Sequence, residues 1–141
     1  MSKQNILTAH VAKLSHDGRG IAHINGKTTF IDGALPDEEV SFSYTSRKSK
    51  YDEARIIEIV KPSPMRTEPR CKHYGVCGGC GMQHIQADAQ IALKQQTMLE
   101  QLAHFGGIQP ETILLPLTGP VWGYRRKARL GVKYVIKRVR F

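Results

Sequence analysis

The chain has 141 residues, a formal net charge of +9 and 40% hydrophobic residues, enough for one ordinary domain or two very small ones. No apolar run approaches the roughly 18 to 20 residues of a membrane helix, which excludes such a span, and recurring apolar segments exclude collagen and simple disorder. Met1–Lys13 holds no uninterrupted apolar stretch of the secretory kind, and all three cysteines fall within Cys71–Cys80, so a soluble cytoplasmic protein that meets no membrane is expected.

Charge is distributed unevenly. Residues 1–60 carry eight basic and eight acidic side chains, residues 61–141 thirteen and four. The last 21 residues, 121–141, hold eight basic groups and no acid. A one-ended excess of this kind points to a polyanion, most often nucleic acid; the plainer reading is a solvated surface.

The first 60 residues read as five short strands. Asn5–Leu14 alternates weakly around Ile6, Val11 and Leu14. Asp17-Gly-Arg-Gly20 is a turn, and Gly20–Ile24 and Lys27–Ile31 flank Asn25-Gly26, a hairpin signal because a type I′ turn needs positive φ at both central positions. Val40–Thr45 places Val40, Phe42 and Tyr44 on one face, and Arg55–Val60 is the fifth strand. Five such strands suit a small closed or partly closed barrel. Phe30, Phe42 and Tyr44 are expected to fill it rather than to stack on bases.

Lys61–Arg70 contains three prolines and reads as an extended linker and domain boundary. A helix is expected near Asp88–Phe105, with Asp88 as N-cap, a packing stripe of Ile91, Met98, Leu102 and Phe105, and Gly106-Gly107 as the stop. Beyond Pro116 and Pro120 a strand is expected from Tyr124 to about Ile136. Tyr124, Arg126, Ala128, Leu130, Val132, Tyr134 and Ile136 would share one face; Arg125, Lys127, Arg129, Gly131 and Lys133 would share the other. The second face is basic, with same-face neighbours about 6.6 to 6.8 Å apart, so Arg125, Lys127, Arg129 and Lys133 are the candidate phosphate contacts.

The most informative stretch is Cys71-Lys-His-Tyr-Gly-Val-Cys77-Gly-Gly-Cys80-Gly-Met-Gln-His84. Three thiolates within ten residues converge on one centre only if the backbone folds tightly, which the interleaved glycines permit. With His84 the spacing makes a Cys3His zinc site; an iron–sulfur cluster would need a fourth cysteine from elsewhere. Spacing alone slightly favours zinc.

These cysteines, the following helix and Trp122-Gly-Tyr-Arg-Arg-Lys-Ala-Arg-Leu130 resemble the 23S rRNA (uracil-5-)-methyltransferases. The five-strand segment, with Gly18, Gly20, Gly26 and Leu35-Pro36, is similar to the OB-like TRAM domain that opens those enzymes. The resemblance implies that Cys71, Cys77 and Cys80 ligate a [4Fe-4S] cluster whose fourth ligand lies farther downstream. It also implies a 23S ribosomal RNA partner and a catalytic domain that uses S-adenosylmethionine to make 5-methyluridine. The residues that would bind S-adenosylmethionine and attack uracil belong to that domain and have no counterpart among these 141, so no catalytic residue is assigned.

The expected fold class is therefore mainly β with one helix. Residues 1–60 would be the TRAM barrel, 61–70 the linker, 71–86 the iron–sulfur segment, 87–107 the helix, and 121–141 the first strand of an incomplete central α/β RNA-binding domain. The chain would be an inactive, monomeric amino-terminal fragment. The alternatives are a stand-alone TRAM and zinc RNA-binding module, or an iron–sulfur redox sensor, which would leave the barrel and the arginines unexplained.

Overall fold

A computed structural model describes residues 6–129, 131–135 and 138–140. Six strands form one sheet: β1 Leu7–His10, β2 Lys13–Leu14, β3 Gly20–Ile24, β4 Lys27–Asp32, β5 Glu39–Arg47 and β6 Tyr51–Lys61. Their hydrogen-bonded order is β1-β5-β6-β4-β3-β2, antiparallel except for the β4–β6 pair. Mainly β with one helix is thus the observed class, but the strands number six rather than five.

The extra strand has a local cause. The expected run Asn5–Leu14 breaks at Val11-Ala12, where Val11 N–H donates to Glu38 O and Ala12 N–H to Ile21 O. Leu7–His10 consequently pairs with β5 and Lys13–Leu14 with β3. One bent segment occupies both ends of the order, and the ladder itself is not closed. Register shifts along β5–β6, at Glu39/Val40, Ser41/Phe42 and Tyr44/Ser46, curl the sheet between those ends.

The Asn25-Gly26 hairpin forms as its residues dictate, with φ of 50° and 76° between Ile24 and Lys27. The core inside the curled sheet is Ala9, Val11, Ala22, Ile31, Ala34, Val40, Phe42 and Ala54. Gly20 is required there: a Cβ would stand 2.8 Å from both Ala34 Cβ and Val11 Cγ1. Phe42 is fully buried and Tyr44 packs edge-on against it, as expected. Phe30 does not join them. It neighbours buried Thr29 and Ile31 in β4, so the two-residue period turns it to the outer face, against Tyr51 and beneath the Arg19 guanidinium.

The proline-rich segment is extended but tied down: Ser63 is buried, and Arg66 bridges to Ile85. Helix α1 spans Ala87–Gly106 and caps on Gln86 rather than Asp88. Gln86 N–H donates to Met65 O and its side-chain amide to Pro64 O, which fixes the chain's entry two residues ahead of Asp88. Gly107, at φ 61°, ends it as expected, its N–H donating to Ala103 O. The expected packing stripe is a correction. Ile91 and Leu102 are half-buried, whereas Met98 and Phe105 are exposed, and no residue of α1 is buried.

The strand expected from Tyr124 is a second correction. Residues 124–129 are irregular and wholly exposed, and the described strands there are the short antiparallel pair β7 Lys133–Val135 and β8 Arg138–Arg140. Strands persist by sharing a ladder, and no described strand lies beside 124–129. Arg126 is exposed like Arg125, Lys127 and Arg129, not turned to a core. Leu130 and Ile136 lie outside the described residues. No helix among the described residues is long and apolar enough to cross a membrane.

Candidate metal centre and nucleic-acid interface

The cysteine segment folds through tight turns, with Gly75 and Gly78 at φ of 79° and 71°. Tyr74 N–H donates to Cys71 O and Cys77 N–H to His73 O. Cys71 is half-buried, Cys77 and Cys80 are exposed, and all three are free thiols. Gly79 N–H points at Cys77 Sγ from 3.4 Å, the amide-to-sulfur contact that stabilises a thiolate. The donor chemistry is that of a soft thiolate site with one ligand short of four. Among the described residues, however, no three His, Cys, Asp or Glu side chains stand close enough to share one ion.

His84 sits behind this loop rather than with its thiols. It is 3% exposed, and its Nδ1 lies against Tyr74 Oη, which also bonds Gly81 O at 2.9 Å. With the tyrosine proton on that carbonyl, His84 donates from Nδ1 and its buried Nε2 is a bare lone pair without a partner. Burial pushes the imidazole down to about 4; the Arg66 guanidinium acts the same way and the Glu38 carboxylate against it. Burial raises the Tyr74 hydroxyl above its ordinary value, and Cys80 adds to the rise.

Glu38 and Arg66 join this segment to the sheet. The Glu38 carboxylate is fully buried and accepts from Leu35 N–H at 2.9 Å, Ser63 N–H at 3.2 Å, and Arg66 Nε and Nη2 at 2.5 and 2.8 Å. Arg66 Nη2 also reaches Gly33 O at 2.6 Å, and Thr67 N–H donates to His84 O. Burial pushes the carboxyl up, but the bonds from Arg66, Leu35 and Ser63 outweigh it and hold the group below its usual range.

The cations differ by region. On the sheet's outer face Arg19 pairs with Asp17 and Glu53, Lys27 and Arg47 with Asp52, and Lys48 with Glu53. The described ion pairs include none of Lys13, Arg55 or Lys61 on the sheet, nor Arg70, Lys94, Arg125, Arg126, Lys127 or Arg129 outside it. Exposed cations outside those pairs therefore stand in both regions, and residues 125–129 gather four of them. Arg125 reaches a groove between the cysteine loop and the Gly119–Tyr124 turn, while Lys127 and Arg129 stand in solvent beyond it. The side chain of Lys133 lies outside the description. Sequence reasoning missed Glu38, Arg66, Tyr74 and the Arg70–Trp122 pair. A lone Trp set between Pro120 and Gly123 was the available signal for the last of these.

Residues 5–56 match the family model described as the TRAM domain. This part of the chain is a TRAM domain. The chain as a whole is similar to proteins described as 23S rRNA (uracil(1939)-C(5))-methyltransferase RlmD. Identity is 58% to that of Nitrosococcus oceani, over 94% of this chain and 30% of the relative. The Alcanivorax borkumensis protein is 58% identical over 90% and 28%, and the Francisella tularensis subsp. novicida protein 54% over 96% and 31%. The chain therefore spans about three-tenths of the length of these relatives.

Proposed function

We propose that this chain is the RNA-recognition and metal-binding amino-terminal part of an S-adenosylmethionine-dependent 23S rRNA (uracil-C5)-methyltransferase. The observation that carries the reading is identity of 58% along 94% of the chain to a relative so described. Charge supports it: residues 125–129 gather four exposed cations that none of the described ion pairs includes. Catalysis falls to residues outside these 141.

Cys71, Cys77 and Cys80 would hold a [4Fe-4S] cluster, with a fourth ligand from elsewhere in the protein. The cluster would brace the glycine-rich loop in one shape, and Gly79 N–H would stabilise sulfur charge at Cys77. A zinc reading has one observation in its favour, the bare and buried Nε2 of His84, since a histidine that donates from Nδ1 is in the ligand tautomer.

The test is a chimera in which this chain replaces the matching segment of the Nitrosococcus oceani protein. Restored methylation of the uridine named in that relative supports the reading. A folded, metal-loaded chimera that leaves the uridine unmodified overturns it.

A further inference from the structure

The Gly119–Tyr124 turn and the cysteine loop enclose a groove of about 720 Å³, within the range of small-ligand sites. Its chemistry is not that of a packing defect. Arg70, Lys94 and Arg125 bring three cations to it, against one acid, Glu68. Trp122 lies on its wall, 49% exposed, with the Arg70 guanidinium 5.0 Å from the ring centroid. Gly123, at φ 70°, makes the sharp bend that leads the chain from Trp122 into Tyr124 and the basic run. An indole half open to solvent beside a stacked arginine offers one face to a planar ligand, while the neighbouring cations suit the anion attached to it.

We infer that this groove binds an unpaired nucleotide of single-stranded RNA, its base stacked on Trp122 and its phosphates on Arg70, Lys94 and Arg125. The inference rests on the RNA-binding reading and goes past it by naming the slot and the base-stacking residue. Duplex RNA fits poorly, because its bases already stack on one another and present only edges. A solvated charged face would need neither the tryptophan nor the enclosing cysteine loop.

Trp122 is the only tryptophan in the chain, so its fluorescence reports on this groove alone. Titration of the full chain with a short unstructured RNA is expected to quench that emission, in parallel with binding followed by anisotropy of a labelled RNA. An abasic oligomer of equal length should bind through the cations without the quench. Trp122→Ala should weaken single-strand binding about tenfold, Trp122→Phe less, and Arg70→Gln should lower both affinity and quench. Binding with unchanged emission and a wild-type affinity for Trp122→Ala would overturn the inference and leave the RNA reading standing. Equal quenching by the abasic oligomer would also overturn it. Absence of any RNA binding would remove both readings together.

Discussion

Arg66 forks onto the buried carboxylate of Glu38 with two bonds, at 2.5 and 2.8 Å, across 28 residues of sequence. The pair fastens the segment before the cysteines to the β4–β5 turn of the TRAM domain. Glu38→Gln leaves the guanidinium facing a neutral partner in a closed site and is expected to cost about 3 kcal/mol. Arg66→Met in the same chain should recover much of that loss, because the uncompensated charge leaves with it. Chemical denaturation of the single and double variants measures both.

The same cluster sets a pH response in the metal-free chain. His84 titrates near 4 when folded and near 6.5 when unfolded, so its contribution is complete above 6.5 and is lost progressively as pH falls toward 4. Glu38, held below its usual value, adds a loss at lower pH, beneath the ordinary carboxylate range. Melting temperature should therefore fall from pH 7 to 5, and His84→Gln should flatten that part of the curve. A profile unchanged by His84→Gln would show that the imidazole is not buried as described.

Two glycines separate backbone strain from crowding. Gly26 has positive φ and open space around it, so Gly26→Val is expected to cost more than about 1 kcal/mol through conformation alone. Gly20→Ala meets Val11 and Ala34 at 2.8 Å and should cost about 2 kcal/mol by overpacking. Ala34→Gly should partly rescue Gly20→Ala and do nothing for Gly26→Val.

Anaerobically prepared protein is expected to be brown, with iron and sulfide in near-equal amounts and a cluster that oxygen removes readily. Cys77→Ser should abolish metal binding and loosen residues 71–86, since metal affinity and local folding are linked. Colourless protein with stoichiometric zinc that is lost in His84→Gln would establish the zinc reading instead.

Replacing Arg125, Lys127 and Arg129 together by Gln should weaken binding to single-stranded RNAs of every sequence alike. At about 0.7 per phosphate contact on a single strand, the log–log salt dependence should flatten by roughly 2. An unchanged slope would mark these cations as a solvated face.

What the sequence disclosed was chemistry confined to a few neighbouring residues. Asn25-Gly26 specified its turn because both residues tolerate positive φ, and Gly107 ended its helix for the same reason. Alternation in Val40–Thr45 placed Phe42 in the core correctly. Features that depend on distant partners stayed hidden. Nothing between Asn5 and Leu14 announces that its halves pair with strands at opposite ends of the sheet. Phe30 looked like core because hydrophobicity was visible and pleat phase was not. Residues 124–129 carry a strand's alternation, but among the described residues no strand lies beside them to realise it. The cysteine spacing was legible, but among the described residues no three ligand side chains share one centre, and the Tyr74–His84 contact depends on how the loop folds.

The bent first segment has one further consequence, for self-association. As the outermost strands of the ladder, β1 and β2 are only four and two residues long, so the sheet offers a neighbouring molecule little backbone to pair with. Removal of residues 1–10 would strip β1 from β5, a nine-residue strand whose Val40 and Phe42 belong to the core. The protection of β5 against strand exchange between copies therefore resides in the four residues of β1.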